Sequence, residues 1–130
     1  MQGEAVGTFE VSLLPIAGNE GPIAAMSIDK TFHGDLQGRS VGQMLAFRSD
    51  VEGSAGYVAM ERVSGSIAGL HGAFTLQHDG LMTRGTPALK VVVVPDSATG
   101  ELQGLAGTLE IIISAGRHAY RLHYTLPDRP

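Results

Sequence analysis

The sequence predicts an all-β fold: a single closed antiparallel β-barrel of about eight strands. Three observations predict it. First, a motif Gly-x-(Leu/Ile)-x-Gly, with a further glycine a few residues on, occurs three times. Its glycines are Gly34, Gly38 and Gly42, then Gly65, Gly69 and Gly72, then Gly100, Gly104 and Gly107. Glycines spaced around an apolar residue suit the corners of tight hairpins and sharply bent strands. Second, no window carries a 3.6-residue apolar stripe between caps, and each glycine inside a would-be helix costs about 1 kcal/mol relative to alanine. Third, short alternating runs bounded by Gly, Pro, Asn and Asp fill the chain.

The strands are expected over 5–14, 24–33, 42–49, 55–68, 71–81, 88–95, 105–114 and 117–126. Residues 15–22, 50–54, 83–87 and 95–100 have the composition of loops or turns. Residues 127–130 are expected to be a flexible tail on a single domain spanning 1–130. In 24–33, Met26, Ile28, Lys30 and Phe32 share one face. Residues 91–94, four valines, read as a strand buried on both faces, a candidate dimer contact. The 38–42 stretch, one residue longer than its counterparts, suggests a bulge or a three-residue loop.

Two hairpins can be registered from the pattern. A turn at Gly69-Leu-His-Gly72 sets Ile67 opposite Phe74, Gly65 opposite Leu76 and Val63 opposite His78. A turn at Ala115-Gly116 sets Ile113 opposite His118, Ile111 opposite Tyr120 and Leu109 opposite Leu122. It also places Glu110 against Arg121 on the solvent side. In both cases the apolar residues fall on one face, as a correct pairing requires. The same parity turns Lys30, Tyr57, Glu61, His78, His118, Tyr120 and Tyr124 inward.

An ionised group inside a small barrel is costly unless paired. One reading of this inward set is a satisfied structural network in which Glu61 pairs with Lys30, Arg62 or His78. The other is a pocket at one barrel mouth. There Glu61 and His78 are the candidate catalytic acid–base pair. Lys30, Tyr57, His118 and Tyr120 are the candidate ligand-binding residues.

Composition excludes several classes. The 130 residues are 43% hydrophobic with mean hydropathy +0.10, which is globular rather than disordered. Nine Lys and Arg against thirteen Asp and Glu give a net charge of −4. With no basic run, neither nucleic acid nor an anionic membrane is an expected partner. There is no cysteine, hence no disulfide and no thiolate chemistry. The first residues show no basic and then apolar leader, so a cytoplasmic location is expected. The five histidines form neither His-x-His nor His-Glu-x-x-His, and no phosphate loop is present, so no metal and no cofactor are expected. Gly38-Arg39-Ser40-Val41-Gly42 matches Gly-x-Ser-x-Gly. A nucleophile elbow needs a strand-to-helix turn in an α/β sheet, and here the glycines belong to the repeat.

Longer stretches carry a family resemblance. They are Lys30-Thr-Phe32-His-Gly34-Asp-Leu36-Gln-Gly38-Arg-Ser40, Gly53-Ser-Ala-Gly-Tyr57-Val-Ala-Met-Glu61-Arg62-Val-Ser-Gly65, Gly72-Ala-Phe74-Thr-Leu-Gln77-His78-Asp-Gly80, Val94-Pro95-Asp-Ser-Ala-Thr-Gly100-Glu101-Leu102 and His118-Ala-Tyr120. Together they resemble an uncharacterised bacterial family of domains of unknown function, over nearly the whole chain. The resemblance implies a β-barrel similar to that of plant allene oxide cyclase, and no catalytic residue. Related barrels include cyclases and isomerases that fold a flexible substrate in an apolar cavity, an analogy of fold only. Three functions stand side by side. The barrel binds a small apolar molecule and isomerises or cyclises it by acid–base chemistry; or it is a non-catalytic carrier or sensor; or it is a packed structural barrel acting as a homodimer.

Overall fold

The computed structural model describes residues 1–18 and 21–128, so part of the 15–22 loop and the end of the tail lie outside the described residues. Nine strands follow one another: β1 (Gln2–Pro15), β2 (Ala24–Gly34), β3 (Leu36–Arg48), β4 (Ala55–Ile67), β5 (Leu70–Thr83), β6 (Thr86–Val93), β7 (Thr99–Gly100), β8 (Ala106–Ser114) and β9 (Arg117–Thr125). All pairings are antiparallel. The order β4-β3-β2-β1-β9-β8-β6-β5 closes on itself through β4 and β5. The result is a closed eight-stranded barrel, with the two-residue β7 attached to β5. No helix occurs among the described residues.

The last hairpin has the expected register. Ala115 and Gly116 both take positive φ (51° and 77°), and Ile113 pairs His118, Ile111 pairs Tyr120 and Glu110 pairs Arg121. The β4–β5 hairpin does not. Its turn is Ala68-Gly69, both at positive φ, and Ile67 pairs Leu70. Glu61 therefore faces Leu76, and His78 faces Ala59. The pairing slides four residues from the expected one. Because four is even, every side chain keeps its face.

The first glycine motif is also corrected. Only Gly34 (φ 106°) lies at a corner. Gly38 and Gly42 sit inside β3, which begins at Leu36 rather than 42 and has no loop in the 38–42 stretch. A Cβ at Gly42 would collide with the Met60 carbonyl oxygen of β4, and one at Gly38 with the Ser64 carbonyl oxygen. These glycines let β3 and β4 coil tightly against each other. Likewise Thr86 and Pro87, expected in a turn, belong to β6. Of the four valines, Val91 and Val93 point inward and are buried, while Val92 and Val94 are half-buried.

The two ends of the barrel differ. The lower end carries the β2–β3 and β4–β5 turns and the connection from β6 to β8. That connection folds back as a plug. Leu102 and Leu105 are fully buried beside Leu36, Ile67, Phe74 and Leu122. Burying one such leucine contributes roughly 1.5–3 kcal/mol. Arg62 anchors the plug, donating to the Ser97 carbonyl (2.6 Å), Thr75 Oγ1 (3.1 Å) and Thr99 Oγ1 (3.3 Å). At the upper end the inward row stays open to solvent. Leu13, Met82, Leu89 and Ile113 are 40%, 43%, 44% and 68% exposed although their parity is inward. The ladder between β6 and β8 is a single registered pair near the lower end, Val92 with Thr108. Above it, the facing edges of β6 and β8 are not laced.

Candidate functional site

Halfway up the barrel, four strands each turn one or two polar side chains inward. Met26, Ile28, Lys30 and Phe32 alternate with outward residues on β2. Leu36, Ser40 and Met44 do so on β3, and Tyr57, Glu61 and Val63 on β4. On β5 the inward members are Leu76 and His78. The register places Ser40 opposite Lys30 and Val63, and Glu61 opposite Gly42. Gly42, with no side chain, clears the space beside Glu61, since a Cβ there would crowd the Glu61 Cα and Cβ.

The Glu61 carboxylate is the hub. Oε2 accepts from Lys30 Nζ at 2.8 Å and from His78 Nε2 at 2.6 Å. Oε1 accepts from Ser40 Oγ at 2.7 Å. Beyond His78, Nδ1 meets the Tyr57 hydroxyl at 3.0 Å. Glu61, Ser40, His78 and Lys30 are 1%, 1%, 4% and 6% exposed, so four polar groups lie deep in the molecule. Burial by itself pushes the Glu61 carboxyl up. The His78 hydrogen bond, the Lys30 charge and hydrogen bond, and the Ser40 hydroxyl together outweigh it and hold the carboxyl down at about 2. Burial, reinforced by the Glu61 charge, pushes the Tyr57 phenol up to about 12. At neutral pH Glu61 is an anion and Tyr57 a neutral phenol. Nε2–H therefore donates to the Glu61 carboxylate, and Nδ1 shares the remaining hydrogen bond with the Tyr57 hydroxyl. The Lys30 charge is further cradled by aromatic faces, 4.7 Å from the Phe9 ring centre and 5.5 Å from that of Phe32.

The remaining inward residues divide. His118 is half-buried and packs against Phe9 with ring centres 5.2 Å apart, a ring that also lies against Lys30. Tyr120 belongs to the lower structure. Its hydroxyl accepts from Leu36 N–H (2.9 Å) and donates toward the His33 and Leu36 carbonyls (2.9 and 3.1 Å), clamping the β2–β3 corner. Tyr124 is buried in the core. The structure thus brings Lys30, Tyr57, Glu61 and His78 into one network and sets His118 and Tyr120 apart from it. Ser40 was the missing member. Its signal was the alternation Leu36, Gly38, Ser40, Gly42, Met44, which the glycine motif concealed. Among the described residues no buried side-chain nitrogen or oxygen lacks a hydrogen-bond partner, and no three metal-ligating side chains gather.

A groove of about 570 Å³ opens at the upper ends of β3, β4 and β5. Its walls are mostly apolar, including Ile23, Leu45, Phe47, Val58, Leu81 and Met82, with Asp79 as a charged member. Of the five network residues, only Tyr57 lines it. The Tyr57 ring lies across Gly80, where any Cβ would strike it. Glu61 and His78 do not line the groove.

No curated protein matches the chain. Among solved structures, a crystal structure of a protein of unknown function from the DUF3224 family of Shewanella oneidensis is 42% identical. The match covers 99% of this chain and 100% of that one, with a TM-score of 0.91. The family model for DUF3224, proteins of unknown function, matches residues 5–124, which reaches every strand of the barrel and includes all five network residues. The chain belongs to the DUF3224 family.

Proposed function

We propose that the protein binds a small, mostly apolar molecule at the upper end of the barrel, with the Tyr57–His78–Glu61 chain as the polar end of the site. One observation carries this reading. A buried, internally paired charge network and an apolar groove of about 570 Å³ share one residue, Tyr57. That volume falls within the usual range for small-molecule pockets, and apolar walls with few polar groups are their usual chemistry. Packed structure alone accounts less well for four polar groups buried among Phe9, Phe32 and Leu76, since an apolar core of the same volume is often as stable.

Acid–base isomerisation or cyclisation is the activity this geometry would serve. Glu61, held as an anion, is a poor proton carrier near neutrality, and its part would be to orient and charge-balance His78. His78 and Tyr57 would move the proton. The allene oxide cyclase barrel that the sequence resemblance implies is an analogy of fold, and it would add the expectation of a flexible substrate.

The test is native mass spectrometry of the purified protein followed by organic extraction, beside an Ala46→Trp variant that fills the groove next to Tyr57. Wild type is expected to carry or take up one apolar molecule, and folded Ala46→Trp to lose it. If folded Ala46→Trp binds as wild type does, or if wild type takes up nothing, the reading fails. A carrier is told from a catalyst by Glu61→Gln: retained affinity with no turnover in either form marks a carrier.

A further inference from the structure

We propose that a second copy of this chain packs on the outer face of β3 and β4, and that the groove is closed between the two copies; the second half rests on the reading above. Strands of a barrel alternate because one face meets the core and the other meets water. The flank opposite β4 in the ring obeys this. On β9, Arg121 and His123 pair with Glu4 of β1, and His123 pairs also with Glu110 of β8. The upper halves of β3 and β4 do not. The outward residues there are Val41, Gln43, Leu45 and Phe47, then Gly56, Val58 and Met60, and none is charged. The register makes them one patch. Leu45 lies opposite Val58, Gln43 opposite Met60 and Phe47 opposite Gly56, while Leu81 of β5 flanks Gly56 on its other side. A strand apolar on both faces is a strand covered on both faces. The valines of 91–94 are not such a face, because Val91 and Val93 are core.

The size of the patch and its rim choose the occupant. Val41, Leu45, Phe47, Val58, Met60 and Leu81 are 57%, 49%, 45%, 52%, 52% and 62% exposed. Together they present on the order of 600 Å² of apolar surface, at the top of the range for the largest patch on a monomer. With a polar rim that approaches the roughly 800 Å² each partner gives to a standard dimer. A two-fold dimer lays a patch on its own copy, and a patch uncharged at its centre meets itself without repulsion. The rim carries both signs: Asp79 lies opposite Lys90, and Asp29 pairs with Arg39. A lipid surface matches less well, since the connection above the patch carries Asp50 and Glu52 and the chain has no basic run. The groove lies in the upper part of the same face, walled by Leu45, Phe47, Val58 and Leu81 with Gly56 among them. On one copy it is a trough along the barrel wall. Small-molecule pockets enclose most of their ligand's surface. A second sheet face packed about 10 Å away supplies the missing wall.

Sedimentation velocity at about 50 μM, above the micromolar constants that interfaces of this size reach or surpass, tests the first half. Wild type is expected at twice the 13.6 kDa of one chain. Met60 lies on the patch and does not line the groove. Met60→Glu is expected to weaken the dimer about a hundredfold or more, by burying a charge in an apolar contact. Ile112→Glu, at an outward position of β8 that is 39% exposed, is expected to leave it unchanged. Hydroxyl-radical footprinting of wild type depends on no variant. Leu45, Phe47 and Val58 are expected to be labelled several-fold less than their exposure in one chain predicts, and Ile112 and Ile113 in full. A monomeric wild type, a dimer that folded Met60→Glu leaves intact, or full labelling of Leu45, Phe47 and Val58 overturns the proposal. Native mass spectrometry tests the second half: the apolar molecule is expected on the dimer and missing from folded Met60→Glu. A monomer that carries it overturns the closed groove while the pocket stands. A dimer joined by this face that takes up nothing ends the pocket reading and leaves the interface.

Discussion

Glu61 shows how a barrel this small holds an ion in its core. Three donors on two carboxylate oxygens keep it charged at a depth where it would otherwise be neutral. Its folded-state value of about 2 lies below the ordinary 4.5, so the contribution to stability is complete above about pH 4.5. It is lost as the pH falls from there to about 2. Wild type is therefore expected to lose on the order of 3 kcal/mol of unfolding free energy across that window. Glu61→Gln is expected to be weaker at neutral pH and nearly flat over the same window. Urea unfolding measured along a pH series checks both, and parallel slopes for the two proteins would show that Glu61 is not the group responsible. At this scale much was legible. Strict two-residue alternation turned Lys30, Tyr57, Glu61 and His78 inward before any contact was known. What alternation does not carry is depth along the barrel axis. Tyr120 and Tyr57 share the inward parity, yet one clamps the plugged end and the other opens on the groove.

Among the elements, β3 and β4 are joined over thirteen registered pairs, from Leu36 with Ile67 to Arg48 with Ala55. Glycine inside that pairing is a steric requirement rather than a turn signal. Gly42→Ala is expected to cost more than about 2 kcal/mol, because the clash is with backbone and cannot be relieved by a rotamer change. Ala115→Gly, at a turn position with φ of 51°, is expected to be neutral or stabilising by up to about 1 kcal/mol. Thermal unfolding of the pair checks both, and equal effects would contradict the distinction. The sequence pattern could not separate the two uses of glycine, since both place it between apolar neighbours. It also mis-set the β4–β5 pairing by four residues. A tight Ala68-Gly69 turn and a Leu70-His71 turn leave the same faces inward, so only backbone conformation distinguishes them. The hairpin at Ala115-Gly116 was legible because Glu110 and Arg121 added a charge match on the outer face.

For the whole molecule, closure is uneven. β1 and β9 are registered from Gln2 with Thr125 to Phe9 with His118, whereas β6 and β8 share one pair. Amides on the seam-facing edges of β6 and β8 are expected to exchange with solvent hydrogen much faster than those of the β3–β4 ladder, by factors of about a hundred or more. Hydrogen-exchange mass spectrometry reads this directly, and uniform protection around the barrel would show that the seam is closed in solution. The unlaced edges were invisible in the sequence, because both strands are apolar and alternate correctly.

A tube slit along part of its length loses hoop stiffness on that part alone. The lower barrel, with its plug and complete ladders, has a fixed girth. In the upper barrel no registered pair beyond Val92 with Thr108 holds β6 to β8. Girth at this end is then set by how side chains pack rather than by a backbone ladder.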